Sequence, residues 1–301
     1  MSDTAASLRS KIASAGELES VVRTMKAMAA SSLGQYEQSV HALADYSRSV
    51  ELGLGVCFRS SGPAPLIAEQ NRRTAAGSIG AVVFGSDQGL VGQFNDVVAD
   101  FAVKTLAALP GTSQVWAVGE RVQGRLTDAG LSLAGLFAVP NSVKAITPLV
   151  GQILVESETR HSQGEVAELY LFHNRPTSGA VYAPVSQRLL PLDETWRRQL
   201  AVLPWPTKNL PEVVGVGTET LRAIIREYLF VSLFRACAES LASENASRLA
   251  AMQRADKNIE ELLEHLKGTF HRLRQGGIDE ELFDVVSGFE ALSYLRRRSS
   301  A

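Results

Sequence analysis

Side chains able to do chemistry are few in this sequence, and they are scattered. Of five histidines (His41, His161, His173, His265 and His271), only His265 and His271 are close in sequence, and their spacing sets the two rings on different faces of a helix. Each histidine therefore reads as a solvated or packing residue. The two cysteines, Cys57 and Cys237, each fall in an apolar-periodic segment. They could form one disulfide, but isolated thiols suit a reducing compartment better and cannot make a zinc site by themselves. No G-x-S-x-G, H-E-x-x-H or C-x-x-C pattern occurs, and carboxylates such as Glu260, Glu261 and Glu264 fall on what reads as a solvated helix face. The expectation is no catalytic residue, no metal ligand and no cofactor.

One glycine-rich stretch, residues 85–95 (GSDQGLVGQFN), stands between a strand-like run and a helix-like run. A turn of this kind can present a helix N-terminus to a phosphate. Here no Lys-Ser/Thr pair follows, and the glycine spacing is not that of a dinucleotide fingerprint. The stretch reads instead as a structural turn built on Asp87, Gly89 and Gly92, with Asn95 capping the next helix.

Length and composition set the frame for these residues. A chain of 301 residues with 45% hydrophobic and 21% charged side chains is an ordinary globular protein of one or two domains. Its net charge of −2 carries no nucleic-acid signature. No apolar run is long enough to span a bilayer, and the start MSDTAASLRSK lacks a signal-peptide core, so a soluble intracellular protein with no direct membrane insertion is expected.

Three segments with different periods must position everything. Residues 4–58 contain no proline and carry Leu8, Ile12, Ala15, Val22, Met25, Ala29, Leu33, Tyr36, Val40, Leu43, Tyr46, Val50 and Leu54, mostly at alternating steps of three and four. Residues 212–301 are likewise free of proline, with Leu221, Ile225, Tyr228 and Val231, then Ile259, Leu263, Leu266, Phe270 and Leu273. Ile278, Leu282, Val285, Phe289 and Leu292 repeat those steps one residue out of phase. Fifty residues of helix span roughly 75 Å, too long for the inside of a compact domain. Two such stripes at opposite ends of a chain can bury each other as an antiparallel coiled coil. Between them, residues 78–86, 114–119, 133–139 and 166–173 suit buried strands, and 96–109, 121–129 and 142–160 suit helices. That alternation predicts a Rossmann-like α/β domain with a mostly parallel sheet, to which residues 180–190 add an antiparallel strand. The predicted domains are a coiled-coil helix over 1–60, the α/β domain over 76–205 with a linker near 60–75, and a second coiled-coil helix over 211–301.

Three stretches resemble one family, the gamma (central-stalk) subunit of rotary F-type ATP synthases. They are residues 22–31 (VRTMKAMAAS), 86–95 (SDQGLVGQFN) and 240–255 (SLASENASRLAAMQRA), the last followed by Arg274-Gln275 and an acidic-apolar end. The resemblance covers nearly the whole chain. It implies a rotor shaft that breaks no bond, standing among three alpha and three beta subunits, with the α/β domain resting on the membrane c-ring beside the epsilon subunit. The expected place is the cytoplasmic face of the bacterial inner membrane. It also implies that Arg274 and Gln275, with Met25 and Lys26, meet the beta subunit, where an Arg fork suits carboxylates. Asp279 stands where threonine is usual in that patch. Gly276-Gly277 departs from the family's small helix formers and, with the phase shift beyond it, implies a kink with Asp279 as a new N-cap. Acidic residues near Glu17 and Glu19, and the tail Arg296-Arg297-Arg298, also depart, and these departures imply a divergent branch of the family, of which the sodium-type alternative operons are one candidate. Two other readings compete: a nucleotide-binding α/β enzyme whose helices dimerise, and a coiled-coil scaffold with no motor role.

Overall fold

The proline-free ends of the chain form two very long helices, α1 (Ala5–Ser61) and the last helix (Gly217–Ser299), in a computed structural model that describes residues 4–61, 78–178, 181–209, 211–213 and 217–299. Between them the chain forms β1 (Ser78–Phe84), α2 (Phe94–Ala107), β2 (Ser113–Val118), α3 (Glu120–Asp128), β3 (Leu133–Phe137), α4 (Val143–Ser162), β4 (Val166–Arg175), β5 (Ala183–Leu190) and α5 (Glu194–Ala201); the last helix is α6. The alternating strand and helix runs appear where periodicity put them, with ends shifted by a few residues. Helix α5 was not foreseen. Its sequence ETWRRQLA is short and mostly polar, and its start is fixed by Asp193, which accepts the Trp196 amide at 2.8 Å. Of the expected linker, the residues from 62 to 75 lie outside the described residues.

Two compact units emerge, Met28–Leu249 and Met1–Ala27 with Ala250–Ala301. In the larger one, the sheet order is β3-β2-β1-β4-β5, with β5 alone antiparallel. This is a doubly wound arrangement, with β1 and β4 side by side where the connections reverse. One face buries Ala81, Val83, Phe172 and Val115 under Val98, Ala102, Val122 and Leu126 of α2 and α3. The other buries Val82, Phe84 and Leu171 under Ile146, Val150 and Ile153 of α4, and under Tyr36 of α1 and Leu229, Leu233 and Leu241 of α6. Val50, Leu54 and Phe58 of α1 meet Leu221 of α6 and Leu200 of α5 in a further cluster. Residues 231–245 of α6 are buried on nearly all sides, so this length of helix is a core element.

In the smaller unit the helices run antiparallel, as the pairs Lys26–Asp256 and Arg9–Phe270 require. Leu8, Ala15, Met252 and Leu263 fill the seam. The apolar stripe continues past Phe270 without burial, and every residue over 271–289 is exposed. The expectation that Ile278, Leu282, Val285 and Phe289 pack on the N-terminal helix is therefore corrected. The register sets Phe270 beside Arg9, near the α1 start at Ala5, so little of α1 is left to cover them. The expected N-cap at Asp279 is corrected too. Helix α6 is continuous there and Asp279 lies inside it, so it caps nothing. Two glycines lower helix propensity by only about 2 kcal/mol, which a long helix with good formers on both sides absorbs.

Candidate functional site

The turn after β1 is held by its polar side chains. Gly85 begins it because a Cβ there would stand 2.3 Å from the Val122 Cβ of α3. Asp87 then bridges two other chain segments, its Oδ1 accepting the Glu120 amide and its Oδ2 the Val139 amide, both at 3.0 Å. The backbone reverses through Leu90 at φ 62 and Gly92 at φ 58. Gly89 lies in the turn with φ outside that left-handed region. Asn95 is not the helix cap. That position belongs to Gln93, which makes no side-chain cap, and the buried Asn95 amide points back into the turn. Its Oδ1 accepts the Ser86 amide at 2.9 Å and its Nδ2 donates to Ser86 Oγ at 2.8 Å. Asn satisfies this site because a donor and an acceptor are both required in one planar group.

In doubly wound folds, ligands sit outside the carboxyl ends of the strands where the order reverses. Here that position is taken by the chain itself. Ser247 of α6 donates to the Val91 carbonyl at 2.6 Å, Asn174 at the end of β4 donates to the Phe94 carbonyl at 2.9 Å, and Ser243 reaches the Asn174 carbonyl at 3.0 Å. Beside them, Glu239 accepts from His173 Nε2 at 2.8 Å and Arg175 Nε at 2.7 Å through Oε2, and from Arg235 Nε at 2.8 Å through Oε1. Burial alone would raise the Glu239 carboxyl, but the hydrogen bonds from His173, Arg175 and Arg235 override it and hold it at about 2. Burial pushes His173 below its ordinary value, against the pull of Glu239, so the imidazole is neutral and donates through Nε2. One helical turn on, burial raises the Glu244 carboxyl, partly offset by Arg248 Nη2 at 2.7 Å. Sequence reasoning missed this seam, although its sign was present: Glu239, Ser243 and Ser247 recur at steps of four within an otherwise Ala- and Leu-rich helix.

The residues singled out for partner contact fall in two places. Lys26 binds Asp256 at 2.5 Å, and Arg23 reaches the same carboxylate at 3.6 Å; the Lys26 hydrogen bond leads in holding Asp256 below its usual range. Met25 is half-buried beside it. Arg274, Gln275 and Asp279 are all exposed on the length of α6 that no residue of α1 buries. Eighteen residues of helix separate Asp256 from Arg274, roughly 27 Å, so the two groups do not form one patch. His41, His265 and His271 are exposed, and His161 Nδ1 lies 2.9 Å from the Val166 carbonyl. Among the described residues no cluster of His, Cys, Asp or Glu could hold a metal, and no helix is long and apolar enough to cross a membrane.

The chain thus combines paired terminal helices, a doubly wound domain whose crevice is filled by residues of α6, and an exposed apolar helix end. A family model described as ATP synthase matches residues 4–292, and the chain belongs to that family. Among curated relatives, the ATP synthase gamma chain of Moorella thermoacetica is 27% identical, over 95% of this chain and 98% of that one. The ATP synthase gamma chain of an Anaeromyxobacter species is also 27% identical with the same coverage. Among solved structures, the fold is similar to chains in two cryo-EM structures of the Euglena gracilis mitochondrial ATP synthase. One, of the rotor, has a TM-score of 0.57 at 18% identity, covering 90% of this chain and 97% of that one. The other, of the assembly with OSCP, F1 and c-ring, has a TM-score of 0.61 at 15% identity, covering 95% and 93%.

Proposed function

We propose that this chain is the gamma subunit, the central rotor shaft, of an F-type ATP synthase, coupling ion flow through a membrane ring to the conformational cycle of catalytic beta subunits. The observation that carries the reading is the end of α6. Leu282, Phe283, Val285 and Phe289 are exposed there, at 61%, 72%, 69% and 74%. A continuous exposed apolar surface of this kind marks a partner interface. A ring of alternating alpha and beta subunits, three of each, suits it because a single helix offers different side chains in every direction. Each beta subunit then meets a different surface, Arg274 to one side and Phe283 on the opposite side of the helix. Turning the helix exchanges these contacts, and contacts that differ between conformations are what shift a conformational equilibrium. The chain itself performs no bond chemistry in this scheme. Its α/β domain meets the epsilon subunit and the c-ring, so the protein is peripheral on the cytoplasmic face of a bacterial inner membrane.

The competing nucleotide-enzyme reading is disfavoured by the Ser243, Ser247 and Asn174 contacts that fill the crevice such an enzyme would use. Co-expression with alpha and beta subunits from the same genome tests the proposal. One copy of this chain per three alpha and three beta subunits is expected. Recovery of the chain as a free dimer beside an intact hexamer would contradict it.

A further inference from the structure

The three polar residues that α6 turns toward the α/β domain stand at steps of four, and each makes a contact of fixed direction. Glu239 takes hydrogen bonds from His173 and Arg175 at the end of β4; Ser243 shares its hydroxyl hydrogen between the Glu239 carbonyl of its own helix at 2.8 Å and the Asn174 carbonyl at 3.0 Å; Ser247 donates to the Val91 carbonyl in the turn after β1. Steps of four keep them on one face of the helix over two turns. Asn174 also donates to the Phe94 carbonyl, so the receiving strand end and turn are fastened to each other.

Around this stripe the contacts are apolar: Leu229, Leu233, Ala236, Cys237, Leu241 and Ala242 pack in the sheet cluster. Apolar burial is non-directional, and small side chains such as Ala236 and Ala242 offer little relief for a neighbour to catch on. A helix held only by such contacts can turn a little about its axis at small loss. Hydrogen bonds behave differently. A turn of about 20° carries an atom about 5 Å from the axis by roughly 1.7 Å, enough to break a contact whose useful range is a few tenths of an ångström. The breakage is expensive at this site. Glu239 and Ser243 are 2% and 0% exposed, so the groups they satisfy would be left without water to replace them.

We propose that Glu239, Ser243 and Ser247 form a rotational lock that transmits torque between the α/β domain and α6. The inference rests on the rotor reading, since only a driven shaft carries torque. It assigns a mechanical role to the SLASENASRLAAMQRA stretch and makes the three residues positioning residues, none touching nucleotide or ion.

The test uses the assembled ATP synthase in vesicles, with the chain carrying Ser247→Ala, Ser243→Ala with Ser247→Ala, or Glu239→Gln. Each variant is scored for ATP hydrolysis and for ATP-driven ion pumping in the same preparation. The expected result is hydrolysis within about twofold of the unaltered complex while ions pumped per ATP fall, least for the single serine change and at least about fivefold for the double change. Ser247→Thr, which keeps the hydroxyl, is expected to pump as the unaltered complex does. An unchanged pumping ratio in the double variant and in Glu239→Gln overturns the lock, as does equal loss in Ser247→Thr and Ser247→Ala. A merely structural role would lower hydrolysis and pumping together through reduced assembly. If the unaltered chain fails to couple hydrolysis to pumping, the rotor reading itself falls, which the unaltered control shows separately.

Discussion

Glu239 Oε2 and His173 Nε2 meet 2.8 Å apart, with the two side chains 3% and 1% exposed. Both groups make the fold acid-sensitive. Glu239 is depressed from 4.5 to about 2, so the stability it contributes is complete above 4.5 and is lost as pH falls toward 2; a shift of this size is worth about 3 kcal/mol. His173 is lowered from 6.5, so its contribution is complete above 6.5 and declines as pH drops below that value. Thermal unfolding of the full chain is expected to show a first decline in Tm below pH 6.5 and a steeper one below 4.5. His173→Gln keeps a donor for Glu239 and should remove the first decline while leaving the second. A variant with both declines intact would show that His173 does not titrate against the fold.

Asn95 is held by two hydrogen bonds with Ser86 and does not cap the helix. Asp and Ser replace Asn readily as helix caps. At this position Asp cannot donate to Ser86 Oγ and Ser cannot span both partners. Asn95→Asp and Asn95→Ser should each destabilise the chain by about 1–3 kcal/mol in urea unfolding, as expected when a buried polar group loses its partner. Stability within about 0.5 kcal/mol of the parent would return Asn95 to a capping role.

Much of this architecture was legible in the sequence because its signals are periodic. Leu8, Ala15, Ala29, Tyr36, Val50 and Leu54 were picked out by spacing alone, and all are buried. What escaped depends on relationships that spacing does not encode. Nothing in the stripe Ile278, Leu282, Val285 and Phe289 reveals that α1 begins too late to cover it, because register between two helices is set by the whole seam. The polar seam escaped for a related reason. His173 and Glu239 lie 66 residues apart in sequence, and each alone looks like an ordinary packing or solvated residue. Asn95 lies at a helix start, where its residue type favours capping, and the Ser86 that holds it instead stands nine residues earlier in the chain.

Gly276 and Gly277 offer a third measurement. Both lie within continuous helix, and a Cβ at either meets nothing within 4 Å. Gly276→Ala with Gly277→Ala should therefore raise local helix stability by roughly 1 kcal/mol per site and slow amide exchange over residues 271–285. Faster exchange would reveal a local conformation that needs glycine.

The exposed end of α6 separates folding from assembly. Leu54→Ala, at a residue 0% exposed among Phe58 and Leu221, should lower the chain's stability by about 2–5 kcal/mol. Phe283→Ser with Phe289→Ser should leave it within about 0.5 kcal/mol, since those rings are 72% and 74% exposed. The same pair is expected to weaken association with alpha and beta subunits at least tenfold, measured by co-purification at graded dilution. Unchanged association would move the partner surface elsewhere.

Arg274→Ala with Gln275→Ala separates a motor subunit from a passive scaffold. Both residues are exposed on the same bare helix, so the chain's own stability should not change. ATP hydrolysis by the assembled complex should fall severalfold, because the proposed scheme has this pair hydrogen-bonding to beta subunits. Hydrolysis at the unaltered rate would leave only a scaffold.

Rotation itself is the most direct measurement. Cys57 and Cys237 are buried, so Asp128→Cys on the exposed end of α3 provides an accessible thiol for a probe. With the alpha and beta subunits fixed to a surface, adding ATP should drive the probe in one direction, in three equal steps per revolution. A probe that stays still, or jitters without direction, while the complex hydrolyses ATP at its full rate would contradict a rotor shaft.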